Sequence, residues 1–232
     1  MLKRGTAGRR LAMAVALASL AAMAYVGIAL AASDQIVAGP AESYDRQATG
    51  TPYNADQGDV VKFQDLGGSH NVTARQAGPD GKALFRTPTI SGGTAAVDGT
   101  QYLSAGDYPF FCTVHPTTMS GTLHVTTNGT PQARPSATLT IRAKKIAKVV
   151  KKGIAVALNT SAKIDDVSLV AKLGKATIGK ASDLSLAQGQ VFETIKLSKA
   201  GKSKLRKKST AKVSVTADIP FGVPATAKAK LK

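Results

Sequence analysis

The chain is poor in the residues that most often carry chemistry. Among its 232 residues are one cysteine, three histidines and no tryptophan. No disulfide can form within a chain that has a single thiol, and such an isolated thiol is a candidate for a specific chemical role. No Ser-His-Asp arrangement and no carboxylate pair typical of glycoside cleavage is recognisable. These absences predict that the protein is not an enzyme.

Acidic residues are also scarce, and the resulting net charge of +17 is unevenly distributed. Residues 137–232 carry 21 Lys and Arg against five Asp and Glu, whereas residues 33–136 carry six against nine. A change this sharp predicts two domains with different roles. The polar segment 128–136, which contains two prolines, is the predicted linker between them.

The first 31 residues have the pattern of an export signal. Four basic residues and no acid precede an apolar run from Leu11 to Leu30, and Ala29 and Ala31 form a cleavage site of the A-x-A kind. We therefore expect cleavage after Ala31 and a location outside the cytoplasm. The run is also long enough to remain as a membrane anchor. The pair Arg9 and Arg10 leaves both the general and the twin-arginine export routes open.

Residues 35–127 have the alternation and turn spacing of short β-strands. Residues 60–65 alternate between two faces, and glycine-containing turns recur at intervals along the segment. Further strand runs are predicted at 101–103, 108–112 and 121–125, and helical periodicity is absent. The segment is therefore predicted to be an all-β sandwich.

Residues 112–119 contain the only cysteine together with a histidine and a methionine. Cys112, His115 and Met119 follow each other at spacings of three and four residues, and His70 lies upstream. A thiolate, two imidazoles and a weak axial thioether are the ligands of a mononuclear blue-copper site, which suits one-electron transfer. Zinc binds similar donors, but the thioether favours copper. Three histidines and one cysteine are too few for multicopper enzymes or for a two-thiolate dinuclear centre.

The segments GDVVKFQDLGGSHNVTA and GDYPFFCTVHPTTMSGTLHV resemble the plastocyanin, amicyanin and pseudoazurin group of small cupredoxins. The resemblance covers about residues 35–127 and implies a Greek-key β-sandwich with one type 1 copper. It implies that His70, Cys112, His115 and Met119 are the ligands. Asn71 would tie the first histidine's loop to the cysteine loop. Three residues separate His115 from Met119, whereas plastocyanin has four and amicyanin two, so the axial geometry is open.

The same resemblance implies how electrons would reach the site. His115 would present its ring edge to the surface beside Pro116, and a redox protein partner would dock there. We expect Pro116, Phe85 and Pro88 to form an apolar docking patch. His124 lies in a strand run and matches no ligand position, so it is interpreted as structural or exposed.

Residues 137–232 have clean period-two alternation, which predicts an Ig-like β-sandwich of about seven strands. Short helical turns are predicted at 146–150, ended by Gly153, and at 198–206. The module loosely resembles lysine-rich β modules of secreted bacterial proteins. Its lysines favour an anionic cell-wall polymer or membrane surface over nucleic acid, since Phe192 is its only aromatic residue before Phe221. A solvated basic surface without any ligand is the alternative.

Together these patterns predict an exported, two-domain, all-β copper protein that carries single electrons. Two alternatives use the same residues. One is copper binding for storage, delivery or resistance without a redox partner. The other is a structural envelope protein in which the cupredoxin fold has no redox role. The sequence leaves the partner, the potential and the oligomeric state open.

Overall fold

The computed structural model describes residues 33–232. In that range it has fourteen strands and two short α-helices, arranged as two successive β-sandwiches. The predicted all-β fold class is confirmed. The predicted export segment, residues 1–31, lies outside the described residues. Within 33–232 no helix is long and apolar enough to cross a membrane.

The first sandwich has the strands β1 Gln35–Ala38, β2 Tyr53–Gln57, β3 Lys62–Asp65, β4 Thr73–Ala74, β5 Gly93–Ala96, β6 Gly106–Phe111 and β7 Ser120–Gly129. A sheet of order β1-β3-β5 packs against a sheet of order β2-β7-β6-β4. The pairs β1–β3 and β2–β7 are parallel and the others antiparallel. Aromatic rings contribute to the core, and the ring of Phe110 is edge-on to Tyr44 at 5.0 Å between centroids.

One predicted strand is wrong. Residues 101–103 were expected to be extended, but Thr100–Tyr102 is a turn of 3-10 helix. Gly99 has a φ of 103°, and the buried hydroxyl of Thr100 lies 3.0 Å from the carbonyl oxygens of both Asp59 and Val97. These contacts turn the chain where alternation alone predicts a strand.

The second sandwich has its own hydrophobic core and seven strands, as predicted. Its elements are β8 Ala137–Ile141, α1 Ile146–Lys152, β9 Ile154–Thr160, β10 Ile164–Leu173, β11 Ala176–Leu186, β12 Gly189–Ile195, α2 Lys199–Arg206, β13 Ala211–Asp218 and β14 Ala225–Leu231. The sheets have the orders β12-β9-β8 and β11-β10-β13-β14. Gly153, with a φ of 95°, ends α1, and the Ser198 hydroxyl caps α2 by accepting from the Gly201 N–H at 3.0 Å.

Phe221 of the second sandwich contacts Asp80 and Arg86 of the first. The buried carboxylate of Asp80 accepts the Phe221 N–H and an Arg86 N–H, both at 3.0 Å. The Arg86 guanidinium lies 4.1 Å from the centroid of the Phe221 ring. Burial opposes ionisation of Asp80, but the N–H groups of Phe221 and Lys82 and the charge of Arg86 outweigh it and hold its pKa below the ordinary value.

We predict that Asp80→Asn weakens this contact by about 2 kcal/mol, because it leaves Arg86 without its buried partner. Because the folded pKa of Asp80 is lowered, its stabilisation is present above the ordinary aspartate range and is lost as the pH falls through the lowered value. Urea unfolding of both proteins between pH 7 and pH 3 checks this.

Asp218→Asn is the matched control, because it removes the partly exposed ion pair of Asp218 with Lys82 at 2.9 Å. It is expected to cost less than about 1 kcal/mol. Equal losses in the two variants would show that the buried carboxylate has no special role.

Candidate metal centre

The chain between β6 and β7 is folded back on itself by two backbone hydrogen bonds. The Cys112 N–H donates to the Met119 carbonyl at 3.1 Å, and the Met119 N–H donates to the His115 carbonyl at 3.0 Å. The side chains of Cys112 and Met119 are fully buried at the edge of the aromatic core. The short loop therefore holds both sulfur groups out of water.

His115 connects this buried loop with the surface. Its Nδ1 lies 3.8 Å from the Cys112 Sγ, whereas its Nε2 lies 3.6 Å from Oε1 of the exposed Glu42. The side chain is 19% exposed. One nitrogen of the ring thus faces the thiol, and the other faces outward.

His70 comes from a different part of the sandwich. Its backbone exchanges two hydrogen bonds of 3.0 Å with Ile90, which fixes the residue between strands β3 and β4. Its ring is buried, and the centroid lies 5.1 Å from that of the His115 ring. The absence of a side chain at Gly68 makes room for this ring, since a Cβ there would lie 2.5 Å from the His70 Cε1.

A buried carboxylate orients the His70 ring. Asp65 Oδ1 lies 2.9 Å from His70 Nδ1, and the same carboxylate accepts the backbone N–H groups of Gly92 and Gly67. Burial opposes its charge, but these three donors together hold the pKa of Asp65 below its usual range. Because an ionised carboxylate can only accept, His70 Nδ1 donates to Asp65 and Nε2 is the ring nitrogen that faces away from this carboxylate, as in metal-binding histidines with a carboxylate partner.

Asn71 joins the His70 segment to the cysteine loop. Its Oδ1 accepts the Thr113 N–H at 2.9 Å, and its Nδ2 donates to the hydroxyls of Thr113 and Thr89 at 2.6 and 2.8 Å. Thr113 directly follows Cys112, so one side-chain amide fixes the distance between the segments that carry all four predicted ligands.

The positions of these candidate donor groups match part of what a bound metal would require. Within residues 33–232 no three His, Cys, Asp or Glu side chains are already gathered as closely as a bound ion would need. However, a nitrogen and a sulfur that share a trigonal metal lie ~3.7 Å apart, close to the 3.8 Å between His115 Nδ1 and Cys112 Sγ. Two imidazoles on one metal place their centroids ~5 Å apart, as observed here for His70 and His115. Met119 is buried, and its backbone hydrogen bonds with Cys112 and His115 place it in the same loop as these two residues.

One residue expected on the surface is buried, and the others are exposed. Phe85 is fully buried in the core, so it does not belong to the docking patch proposed from the sequence. Val114, beside His115 in the chain, is 44% exposed, and Pro116 and Pro88 are exposed as expected. His124 pairs with Asp107 at 2.6 Å on an exposed part of β6 and β7.

Sequence reasoning missed Asp65 and Glu42. Asp65 ends strand β3, just before the Gly67-Gly68 turn. Its position five residues before His70 could have predicted a contact with that ring. Glu42 lies in a segment without periodicity, and no pattern connects it with His115.

Comparison with known proteins gives partial similarities. No family model and no curated protein matches the chain. A structure of the Cu(I) form of an amicyanin variant is 30% identical, with a TM-score of 0.30, and the match covers 42% of this chain and 87% of that one. A DUF3823 family protein from Parabacteroides merdae is 15% identical over 87% of this chain and 100% of its own, with a TM-score of 0.28. A bacterial ice-binding adhesin is 15% identical over 86% of this chain and 62% of its own, at 0.24.

We predict that Gly68→Ala lowers the free energy of unfolding by about 3 kcal/mol. The new Cβ would collide with the His70 ring, and Gly68 has a φ of 104°, which favours glycine. Gly50→Ala is the control, since Gly50 has a φ of 66° but no atom within 4 Å of the position of a Cβ. It is expected to cost about 1 kcal/mol. Equal losses in urea unfolding would mean that the His70 ring is not held against Gly68.

Proposed function

We propose that the first sandwich is a cupredoxin that binds one type 1 copper and carries single electrons. His70, Cys112, His115 and Met119 are its ligands. The observation that carries the proposal is the pairing of Cys112 Sγ with His115 Nδ1 at 3.8 Å, while the other nitrogen of the same ring faces the surface. A donor pair in this arrangement connects a buried site with a partner outside.

The chain's own residues supply what such a site requires. A thiolate and a thioether are soft donors that favour Cu(I), whereas imidazoles also suit Cu(II). Copper held by them would supply a one-electron couple. Asp65 orients His70, and Asn71 holds the cysteine loop at a fixed distance. Because these groups are packed and hydrogen-bonded, the donors move little when the charge of the site changes.

A redox protein partner would dock where His115 reaches the surface. Val114 and Pro116 flank His115 in the chain and are both exposed. A small apolar contact suits a carrier that must release its partner quickly, since transient redox interfaces are at the low end of the size range. Glu42 adds one negative charge beside the ring.

We also propose that the protein works outside the cytoplasmic membrane. This part rests on the charged, apolar and small-residue order of residues 1–31. Edman sequencing or mass spectrometry of the native protein checks it. A mature N-terminus at Ala32 is expected, and an intact Met1 in a protein recovered from the cytoplasm would contradict it.

We predict that one equivalent of Cu(II) gives the mature protein an intense visible band that bleaches on reduction and returns on oxidation. Cys112→Ser should abolish this band, because the thiolate-to-copper charge transfer produces it. His124→Ala should leave the band unchanged, because that ring is paired with Asp107. A colourless protein, or zinc binding without a blue band, would contradict the proposal.

We predict that Val114→Glu slows electron transfer about tenfold to an electron donor that docks through an apolar surface, without changing the visible spectrum. Val60→Glu is the matched control, since Val60 has the same 44% exposure and precedes β3 at the end opposite Asp65. Stopped-flow reduction measures both rates. Equal rates would remove the docking surface from the proposal. Slow electron self-exchange in the unmodified protein would instead favour copper storage or delivery.

A further inference from the structure

The second sandwich has a basic groove on the outer side of the sheet β12-β9-β8, next to helix α1. Its volume is about 580 Å³. Five cations and one aromatic ring define it, namely Arg142, Lys144, Lys145, Lys148, Lys152 and Phe192. The five cations lie close together in the chain, in the connection that follows β8 and in α1, whereas Phe192 belongs to the distant strand β12. The two groups converge because β9 pairs with both β8 and β12.

Phe192 is exposed although it is a large aromatic residue. It lies opposite Ala157 in the β9–β12 register, and its neighbour Thr194 lies opposite Ala155, so small side chains leave the ring open. Its exposure is 56%. The Arg142 guanidinium lies 4.7 Å from the ring centroid. Stacking of this kind holds the planar donors of an arginine in a fixed orientation.

The positive charge of the groove is not neutralised locally. Among residues 33–232 none of the five cations forms an ion pair. Glu193 is the one acid that lines the groove, and it alternates with Phe192 and Thr194 along β12. Cations that line one groove without acidic partners repel each other, so an anion bound there would reduce this repulsion.

The spacing of the lysines indicates an extended anion. Lys148 and Lys152 lie four residues apart on α1, so their Cα atoms are ~6 Å apart along the helix axis. Successive phosphorus atoms joined through a three-carbon polyol are separated by six single bonds, or about 7 Å when extended. The carbon chain of such a polymer would offer C–H groups to the exposed face of Phe192.

We propose that this groove binds a linear polyol-phosphate polymer, with the lysines on successive phosphates and Phe192 against the carbon chain. Two other anions fit less well. Single-stranded nucleic acid binds to several successive aromatic side chains, and here Phe192 stands alone. A flat anionic membrane does not fill a concave groove. The inference concerns the second sandwich only, so it stands or falls independently of the metal centre.

The test uses the full mature chain, free of copper, and a synthetic poly(glycerol phosphate) of ten repeats, with affinity measured by calorimetry at 50 and 200 mM NaCl. Replacing both Lys148 and Lys152 by Gln should weaken binding at least about tenfold. The matched control replaces Lys199 and Lys204 of α2, both exposed, by Gln and removes the same charge. It should weaken binding less than about threefold. Equal losses would mean that general surface charge attracts the polymer and would overturn the proposal.

Two further measurements test the class of ligand. Phe192→Ala should weaken binding of the polymer at least about threefold at 200 mM NaCl, where charge is screened, and an unchanged affinity would overturn the role of the ring. Ten-nucleotide oligothymidylate and vesicles of phosphatidylglycerol in phosphatidylcholine should both bind more weakly than the polymer. If the oligonucleotide or the vesicles bind as tightly as the polymer, and if this binding is lost when Lys148 and Lys152 are replaced, the polyol-phosphate assignment is wrong.

Discussion

The side-chain amide of Asn71 is the interaction on which the candidate site depends. It bridges Thr113 and Thr89, and so joins the segment of His70 to the loop of Cys112. These segments are 42 residues apart in the chain. Each such buried hydrogen bond contributes on the order of 1 kcal/mol net, but an unmade one costs more. The amide therefore specifies the distance between the donors more than it adds to stability.

Around that bridge, the structure separates buried donors from surface access. Cys112, Met119 and His70 are buried, and only His115 extends from the thiol to the surface. The two carboxylates near the candidate site also differ in exposure: Asp65 is buried and hydrogen-bonded to His70, and Glu42 is exposed beside His115. In the proposed copper site, this arrangement would let electrons pass through one residue while water stays away from the two sulfur groups.

The sequence is informative for features that depend on near neighbours and uninformative for features that depend on distant contacts. Cys112, His115 and Met119 lie within eight residues, so their spacing predicts one short loop, and the backbone hydrogen bonds of Met119 with Cys112 and His115 fold that loop back on itself. Period-two alternation likewise predicts strands. The partner of the His70 ring could not be predicted in this way, because Asp65 reaches it through a glycine turn. The hydrogen bond from the Phe221 N–H to Asp80 could not be predicted either, because 141 residues separate the two positions.

X-ray absorption at the copper edge, on the protein loaded with one equivalent of copper and measured in both oxidation states, would show directly whether Cys112 binds the metal. We expect one sulfur at about 2.2 Å and two imidazole nitrogens at about 2.0 Å, with little change on reduction. A copper shell made only of nitrogen and oxygen would mean that Cys112 is not a ligand, and the proposed electron carrier would be contradicted.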